Sequence, residues 1–179
     1  MSSTAAIRSV LIMGPTGCGK STLGSALARA LGWPFLEGDT LHPASNIAKM
    51  AAGTPLDDAD RRPFLQNIAQ AIATRATDGL VVSCSALKRA YRDQLRTGDA
   101  RLLFVLPMMP RARLLARLRQ RSDHFMPASL LDSQLAILEP PQPDESFIQV
   151  SGDSPTSEQV RQVLDAATAR RLIFAARRQ

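Results

Sequence analysis

The stretch from Gly14 to Ser21 reads GPTGCGKS and contains the residue types that bind a phosphate chain. Its pattern, G-x-x-x-x-G-K-[ST], is that of the phosphate-binding P-loop. In such a loop the glycines let backbone N–H groups converge on phosphate oxygens, the lysine reaches the β- and γ-phosphates, and the hydroxyl binds Mg²⁺. The motif predicts a nucleoside triphosphate site with a catalytic lysine. Its expected nucleotide-binding residues are Gly14, Pro15, Thr16, Gly17, Cys18, Gly19, Lys20, Ser21 and Thr22.

The context of this motif agrees with the mechanism. Residues 7–13 form an apolar run of strand length, and residues 21–31 show a helical pattern. A helix that begins directly after the glycine loop adds the partial positive charge of its N-terminus to the anion site. The alternative is a glycine-rich turn with a surface lysine, and the order of elements disfavours it.

Strand-like and helix-like segments alternate along the whole chain. Apolar runs of strand length lie at 7–13, 80–84, 101–106 and 146–150, with a shorter one at 33–36. Helical patterns lie near 21–31, 57–77, 87–97, 110–121, 128–138 and 155–170, the last expected to start with Ser154 as N-cap and Pro155 in its first position. The alternation predicts an α/β fold with a mostly parallel sheet and helices on both faces. We expect strand 33–36 to lie beside strand 7–13.

Composition restricts the class of partner. The length of 179 residues suits one domain over 1–179, and no run is long enough to span a membrane. The net charge of +6 is dispersed, and only 4% of residues are aromatic, so small anions are favoured over nucleic acid. Cys18 lies in the phosphate loop and Cys84 ends an apolar run, which is not a disulfide framework. With no apolar block in residues 1–10, we expect a cytoplasmic protein.

More than forty residues separate the second and third strands, too many for one crossover helix. We expect an insertion of at least two helices, which is where substrate sites of open α/β sheets are found. Glu37 and Asp39 precede it, and their spacing in an extended chain points both side chains the same way. One carboxylate would then lie near Mg²⁺ and one near the acceptor hydroxyl, unless the pair only forms an Asx-type turn around Gly38. The segment 83–88 has no acid, so the usual Walker B aspartate is absent and Mg²⁺ must rely on Ser21, Glu37, phosphate and water.

Two further groups of polar residues leave alternatives open. Arg113, Arg117 and Arg121 occupy one face of a helix, either as a solvated basic stripe or as part of a mobile lid over the triphosphate. Within the insertion, the polar side chains either contact a substrate or only cap helices and face solvent. These residues are His42, Asn46, Lys49, Asp57, Asp58, Asp60, Arg61 and Arg62.

Three longer stretches are more specific than the phosphate loop. They read EGDTLHPASNIAKMAAGTPLDDADRRPFL, CSALKRAYRDQLR and HFMPASLLDSQLAILEPP. With the loop, they make the sequence resemble the thermoresistant-type gluconokinases, P-loop kinases that phosphorylate D-gluconate at its 6-hydroxyl. The resemblance implies a five-stranded parallel core of the shikimate and adenylate kinase type, a substrate flap at about 40–66 and a lid at about 117–130. It also implies ATP and Mg²⁺ as cofactors, a homodimer, and no nucleic-acid or membrane partner.

The resemblance also implies roles for single residues. Lys20, Asp39 and Arg121 would be catalytic, Arg117 would bind the nucleotide, and Ser21 and Glu37 would bind the metal. The expected substrate-binding residues are Asp39, His42, Lys49, Arg61, Ser85, Lys88 and His124. Glu37 departs from the family, where aspartate is common, and so does Phe64, where tryptophan is common. A kinase for another hydroxy acid such as shikimate, and a non-catalytic P-loop module that binds nucleotide or nucleic acid, are the remaining alternatives.

Overall fold

A computed structural model describes residues 6–52, 54–75, 78–120 and 128–176. Its strands are β1 (Ser9–Ile12), β2 (Phe35–Glu37), β3 (Leu80–Ser83), β4 (Leu103–Met108) and β5 (Phe147–Ser151). All pair in parallel in one sheet of order β2-β3-β1-β4-β5, which confirms the five-stranded parallel core. The expected pairing of the second strand with the first is wrong. Strands β3 and β4 occupy both sides of β1, so β2 lies outside β3 and Glu37 pairs with Ser83.

The helices are α1 (Lys20–Leu31), α2 (Ala44–Ala51), α3 (Asp58–Arg75), α4 (Arg89–Arg96), α5 (Arg111–Arg119), α6 (Ala128–Ile137) and α7 (Thr156–Ala169), with a 3-10 helix at Gly38–Leu41. The insertion between β2 and β3 therefore holds the 3-10 helix, α2 and α3, as its length predicted. Helix α7 begins one residue later than expected, because Pro155 is the N-cap. In the described ranges, every helix is too short or too polar to cross a membrane.

The sheet is buried on both faces, which explains why its strands read as continuous apolar runs. Val10 and Ile12 of β1 pack with side chains of α1 and α7, such as Leu27. Leu11, from the same strand, packs on the opposite face with side chains of α3 and α4, such as Ile68. This alternation confirms the helices on both faces, since successive side chains of a strand point to opposite sides.

A third apolar cluster lies beside the phosphate loop rather than under the sheet. Cys18 of the loop packs there with Met109, with Leu114 and Leu118 of α5, and with Leu131 of α6. The cluster joins the loop to two helices that follow it by about a hundred residues in sequence. The position of the loop thus depends on α5 and α6 as well as on β1 and α1.

A buried ion pair holds the turn that follows β3. The Arg92 guanidinium of α4 has no solvent exposure and donates from Nε and Nη2 to the two carboxylate oxygens of Glu145, at 2.6 and 2.9 Å. Its Nη1 donates to the carbonyl oxygens of Ala86 and Leu87, both at 3.2 Å. Ala86 has φ +44°, a left-handed conformation that costs a non-glycine residue about 1–2 kcal/mol. The Arg92 bonds therefore stabilise a turn that Ala86 alone would disfavour.

Glu145→Gln is expected to lower the free energy of unfolding by about 3–5 kcal/mol at neutral pH, since Arg92 would stay buried without its counter-charge. Burial by itself raises the pKa of Glu145, but hydrogen bonds from Arg92 and the Gln142 N–H outweigh it and leave the pKa below its ordinary value of 4.5. Because folding lowers this pKa, ionised Glu145 stabilises the folded state at pH values above 4.5. That stabilisation is lost as the pH falls from 4.5 through the lower pKa of the folded state. Urea unfolding as a function of pH measures both effects.

A matched control for this variant is Glu158→Gln, which removes a partly exposed carboxylate paired with the exposed Arg161. Its stability should stay close to that of the wild type, because exposed ion pairs contribute little. If Glu145→Gln behaved like Glu158→Gln, or lost stability in acid as steeply as the wild type, the Arg92–Glu145 pair would not be what holds the turn.

Candidate active site

The phosphate loop runs from the end of β1 to the start of α1. Gly14, Gly17 and Gly19 have φ values of +129°, +81° and +92°, a region that side chains disfavour. The Gly14 N–H donates to the Ser85 carbonyl at 3.0 Å, which ties the loop to the turn after β3. Lys20 opens α1 and its Nζ donates to the Pro15 carbonyl at 3.1 Å. The loop thus has the backbone shape and helix N-terminus of an anion site.

A cavity of about 440 Å³ adjoins the loop, a volume in the range of small-molecule sites. Its lining residues are Gly19, Thr22, Leu23, Arg117, Asp153, Ser154, Pro155, Thr156 and Gln159. For three of them, Gly19, Thr22 and Arg117, the sequence already predicted a contact with the nucleotide. The segment 153–156 was missed. Its position directly after the last strand could have indicated a binding role, since ligands bind at the carboxyl ends of parallel strands.

The arginines of α5 contact the loop that follows β5. Arg113 Nε lies 3.0 Å from Asp153 Oδ1, and Arg117 Nη2 donates to the Gly152 carbonyl at 2.9 Å. Arg117 therefore lines the cavity, so the basic face of α5 is not entirely exposed to solvent. Arg121 and His124 lie outside the described residues, as does the central part of the lid predicted at 117–130.

The expected extended arrangement of Glu37 and Asp39 is wrong, because the chain turns into the 3-10 helix directly after Glu37. Glu37 Oε1 accepts a hydrogen bond from Ser83 Oγ, which also accepts the Gly38 N–H at 3.2 Å. The carboxylate of Glu37 on β2 thus lies at the end of β3, where the following segment, 83–88, contains no acidic residue of its own. Asp39 is exposed, and its carboxylate has no hydrogen bond within the described residues, so it does not form an Asx turn.

The acidic start of α3 both caps that helix and pairs with lysines. Asp57 and Asp60 exchange hydrogen bonds between side chain and backbone at 2.8 and 2.9 Å, the arrangement of a capping box. Asp60 also lies 2.5 Å from Lys49 Nζ of α2, and this bond raises the pKa of Lys49 and lowers that of Asp60. Lys49, predicted to bind substrate, is therefore already paired.

Lys88, the N-cap of α4, has a similar partner in the first turn of α3. Its Nζ donates to both carboxylate oxygens of Asp58 at 2.8 and 2.9 Å, which raises the pKa of Lys88. Tyr91 Oη donates to Asp58 at 2.5 Å, and both burial and this bond raise the pKa of Tyr91. Lys88 Nζ and Arg61 Cζ lie 5.4 and 5.9 Å from the centre of the Tyr91 ring. Sequence reasoning missed Tyr91, although it is the chain's one tyrosine and follows Lys88 by one helical turn.

Arg61 differs from the two lysines. Within the described ranges, its guanidinium has no hydrogen bond or ion pair and lies against the Tyr91 ring. The three predicted cations are therefore not equivalent, because Lys49 and Lys88 are compensated by carboxylates, whereas Arg61 has no such partner among the described residues.

His42 is half-buried beside this group. Its ring stacks on Phe64 at 3.6 Å between centroids and 9° between planes, so the unusual phenylalanine directly contacts a predicted site residue. Burial lowers the pKa of His42, the Asp39 charge partly offsets this, and the Arg61 charge adds to it. His42 is therefore neutral at pH 7. Asn46 Nδ2 lies 3.3 Å from its Nδ1, which assigns the proton to Nε2.

The fold and the loop together define the class of protein. The family model described as shikimate kinase matches residues 16–167, so this is a kinase with the P-loop architecture. Within that class, a gluconokinase of Gluconobacter oxydans is 49% identical over 148 residues, which cover 82% of this chain and 83% of the relative. The thermoresistant gluconokinase of Escherichia coli is 41% identical over 142 residues, or 78% of this chain and 81% of the relative.

A solved structure gives the same result. The crystal structure of a gluconokinase from Sinorhizobium meliloti superimposes with a TM-score of 0.82 at 45% identity, covering 93% of this chain and 94% of that one. The chain therefore belongs to the gluconokinase family of P-loop kinases. This confirms the predicted kinase and disfavours the non-catalytic module.

Gly38→Ala is expected to lower turnover by about 100-fold in folded protein, because displacement of a site by about 1 Å has effects of that size. A Cβ at Gly38 would overlap the Ser83 carbonyl oxygen, so the 3-10 helix that carries Asp39 would have to move away from β3. Turnover per folded molecule and thermal unfolding, measured on the same samples, separate the two effects.

Gly32→Ala serves as the control. Gly32 has φ +67° at the far end of α1, and a methyl group added there would meet only open space. The variant should lose about 1–2 kcal/mol of stability from the left-handed conformation and keep its turnover. Wild-type turnover in Gly38→Ala would show that the placement of Asp39 does not matter.

Proposed function

We propose that this protein transfers the γ-phosphoryl group of ATP to the 6-hydroxyl of D-gluconate, giving 6-phosphogluconate and ADP. One contact carries the proposal. The turn that bears Ser85 and Lys88 accepts the Gly14 N–H through the Ser85 carbonyl. It thereby joins the phosphate loop to the group of cations around Tyr91. The nucleotide that donates the phosphoryl group and the small acid that accepts it would then bind side by side at the carboxyl ends of the strands.

On the nucleotide side, the triphosphate would bind along residues 14–22 and the nucleoside would occupy the adjoining cavity beside Arg117. Lys20 would leave the Pro15 carbonyl for a phosphate oxygen and compensate the charge on the transferred group. Transfer of a phosphoryl group needs mainly positioning and charge stabilisation, which a lysine and converging N–H groups supply.

On the acceptor side, we assign Asp39 as the carboxylate that orients the hydroxyl and accepts its proton. An exposed carboxylate without a hydrogen-bond partner among the described residues is available for that role. Arg61 is the cation best able to bind the gluconate carboxylate, since Lys88 and Lys49 would first have to leave Asp58 and Asp60. His42, Ser85 and Lys88 would donate to the hydroxyl groups of the substrate.

The residues expected to hold Mg²⁺ fit that ion. Ser21 has an exposed hydroxyl in the first turn of α1, and Glu37 has one carboxylate oxygen bound by Ser83 and the other without a described partner. Mg²⁺ prefers hard oxygen ligands and keeps several waters and phosphate oxygens, so two protein ligands suffice. When bound, the ion would neutralise charge on the phosphates.

We also propose a cytoplasmic location and a homodimer. Cys18 and Cys84 are both buried and unpaired, and burial raises the pKa of Cys84 to about 12, which suits reduced and unreactive thiols. The homodimer rests on the family resemblance alone.

A panel of acceptors tests the proposal. D-gluconate, shikimate, D-glucose and AMP are each supplied with Mg-ATP, and formation of ADP is followed in a coupled assay. Only gluconate should turn over rapidly, with glucose disfavoured by about 100-fold because Arg61 would be left without its anionic partner. Arg61→Met should reduce this preference for gluconate over glucose. Faster turnover of shikimate or AMP would assign a different acceptor to the same kinase fold.

Asp39→Asn is expected to lower kcat by about 100-fold and leave the affinity for ATP unchanged. The amide still orients the hydroxyl but does not accept its proton, and loss of a general base is worth roughly 10²–10⁴-fold. The lower end applies because the transition state is loose and proton transfer comes late. Steady-state kinetics and nucleotide titration measure the two quantities. An unchanged kcat would transfer the role to another carboxylate, with Glu37 the nearest in sequence.

A further inference from the structure

One peptide group of the phosphate loop is held from both of its sides. The Pro15 carbonyl accepts the hydrogen bond from Lys20 Nζ at 3.1 Å. The N–H of the same peptide group, that of Thr16, donates to Gln134 Oε1 at 2.7 Å. Gln134 belongs to α6 and is 118 residues distant in sequence. The phosphate-binding lysine and a remote glutamine thus share one peptide plane.

This peptide plane needs an external partner. It rotates through ψ of Pro15 and φ of Thr16, and the proline ring fixes only the φ of Pro15, so the ring does not lock the plane. Rotation of the plane would swing the Pro15 carbonyl away from Lys20. A single hydrogen bond contributes little to the stability of a whole domain, but it is sufficient to select one orientation of one peptide.

Gln134 is itself held in place. Leu131, one turn earlier on α6, is fully buried and packs with Cys18 of the loop. Asp132 pairs with Arg111 of α5 through two bonds of 2.7 and 2.9 Å. The amide of Gln134 therefore extends from a helix already fixed against the phosphate loop.

We propose that Gln134 is a positioning residue for phosphoryl transfer. It does not touch the nucleotide. It orients the Pro15–Thr16 peptide so that the Pro15 carbonyl holds the Lys20 ammonium group inside the loop before ATP binds. Lys20 then exchanges one oxygen partner for another when the phosphates arrive, without a search through solvent-exposed rotamers. Preorganised charge of this kind acts on the transition state and therefore on kcat.

Gln134→Met tests the proposal, because methionine preserves the length and packing of the side chain and removes the acceptor. We expect kcat to fall about tenfold, with the KM for ATP changed less than about twofold and thermal stability nearly preserved. Gln134→Glu keeps an oxygen acceptor for the Thr16 N–H. It should keep kcat within about threefold of wild type but raise the KM for ATP, since its negative charge lies near the triphosphate.

Gln162→Met is the matched control. Gln162 Oε1 accepts the Ser151 N–H at 2.9 Å, a bond of the same type between α7 and β5. Its loss should affect stability as much as that of Gln134 and leave kcat unchanged. The role of Gln134 would be only structural if Gln134→Met kept the wild-type kcat. Equal losses of kcat in Gln134→Met and Gln134→Glu would also overturn the proposal, because the acceptor would then not be the group that matters.

This inference rests on the proposed phosphoryl transfer but not on the acceptor. The variants are therefore also compared in slow hydrolysis of ATP without any acceptor. If gluconate were the wrong substrate, the wild type would already fail with gluconate. The difference in kcat between Gln134→Met and Gln134→Glu would still be measurable in ATP hydrolysis. If the two variants hydrolysed ATP with the same kcat, the role of Gln134 would be refuted.

Discussion

The phosphate loop has to keep its backbone N–H groups in one arrangement, and three separate parts of the chain provide the restraint. The turn after β3 accepts the Gly14 N–H, α6 accepts the Thr16 N–H through Gln134, and the side chain of Cys18 packs against α5 and α6. Glycines make the loop shape possible but also leave it free to change. The elements around the loop therefore supply the rigidity that its own residues lack.

Compensation of charge is the second feature of this site. Two carboxylates of α3, the partly exposed Asp60 and the exposed Asp58, pair with Lys49 and Lys88. In contrast, the pair of Arg92 and Glu145 is fully buried and contacts the turn that carries Lys88. The two lysine pairs are at least partly open to water and can exchange partners, so an anionic substrate can compete with them. The buried pair cannot exchange without leaving an uncompensated charge, and it serves the shape of the turn.

Much of the site could be predicted from the sequence, and the exceptions have physical reasons. Local motifs identified the loop, Lys20 and the insertion between β2 and β3. The relation of Glu37 to Asp39 was not predictable from spacing, because Gly38 packs against the β3 backbone and ends the extended chain there. Tyr91 and Gln134 were missed because a tyrosine or glutamine within an amphipathic helix has no local pattern that distinguishes a contact with the site from a surface position.

The sequence by itself determined the class of chemistry, since the phosphate loop works through its own backbone and needs only its own residues in order. It also determined the alternation of strands and helices, because burial on both faces of a parallel sheet requires continuous apolar runs. Only the tertiary structure decided that β2 lies beside β3 and that Gln134 binds the loop. It also decided that Lys49 and Lys88 are paired, while Arg61 has no carboxylate partner in the part of the chain that the structure describes. Those facts depend on contacts between residues distant in the chain, which local spacing does not encode.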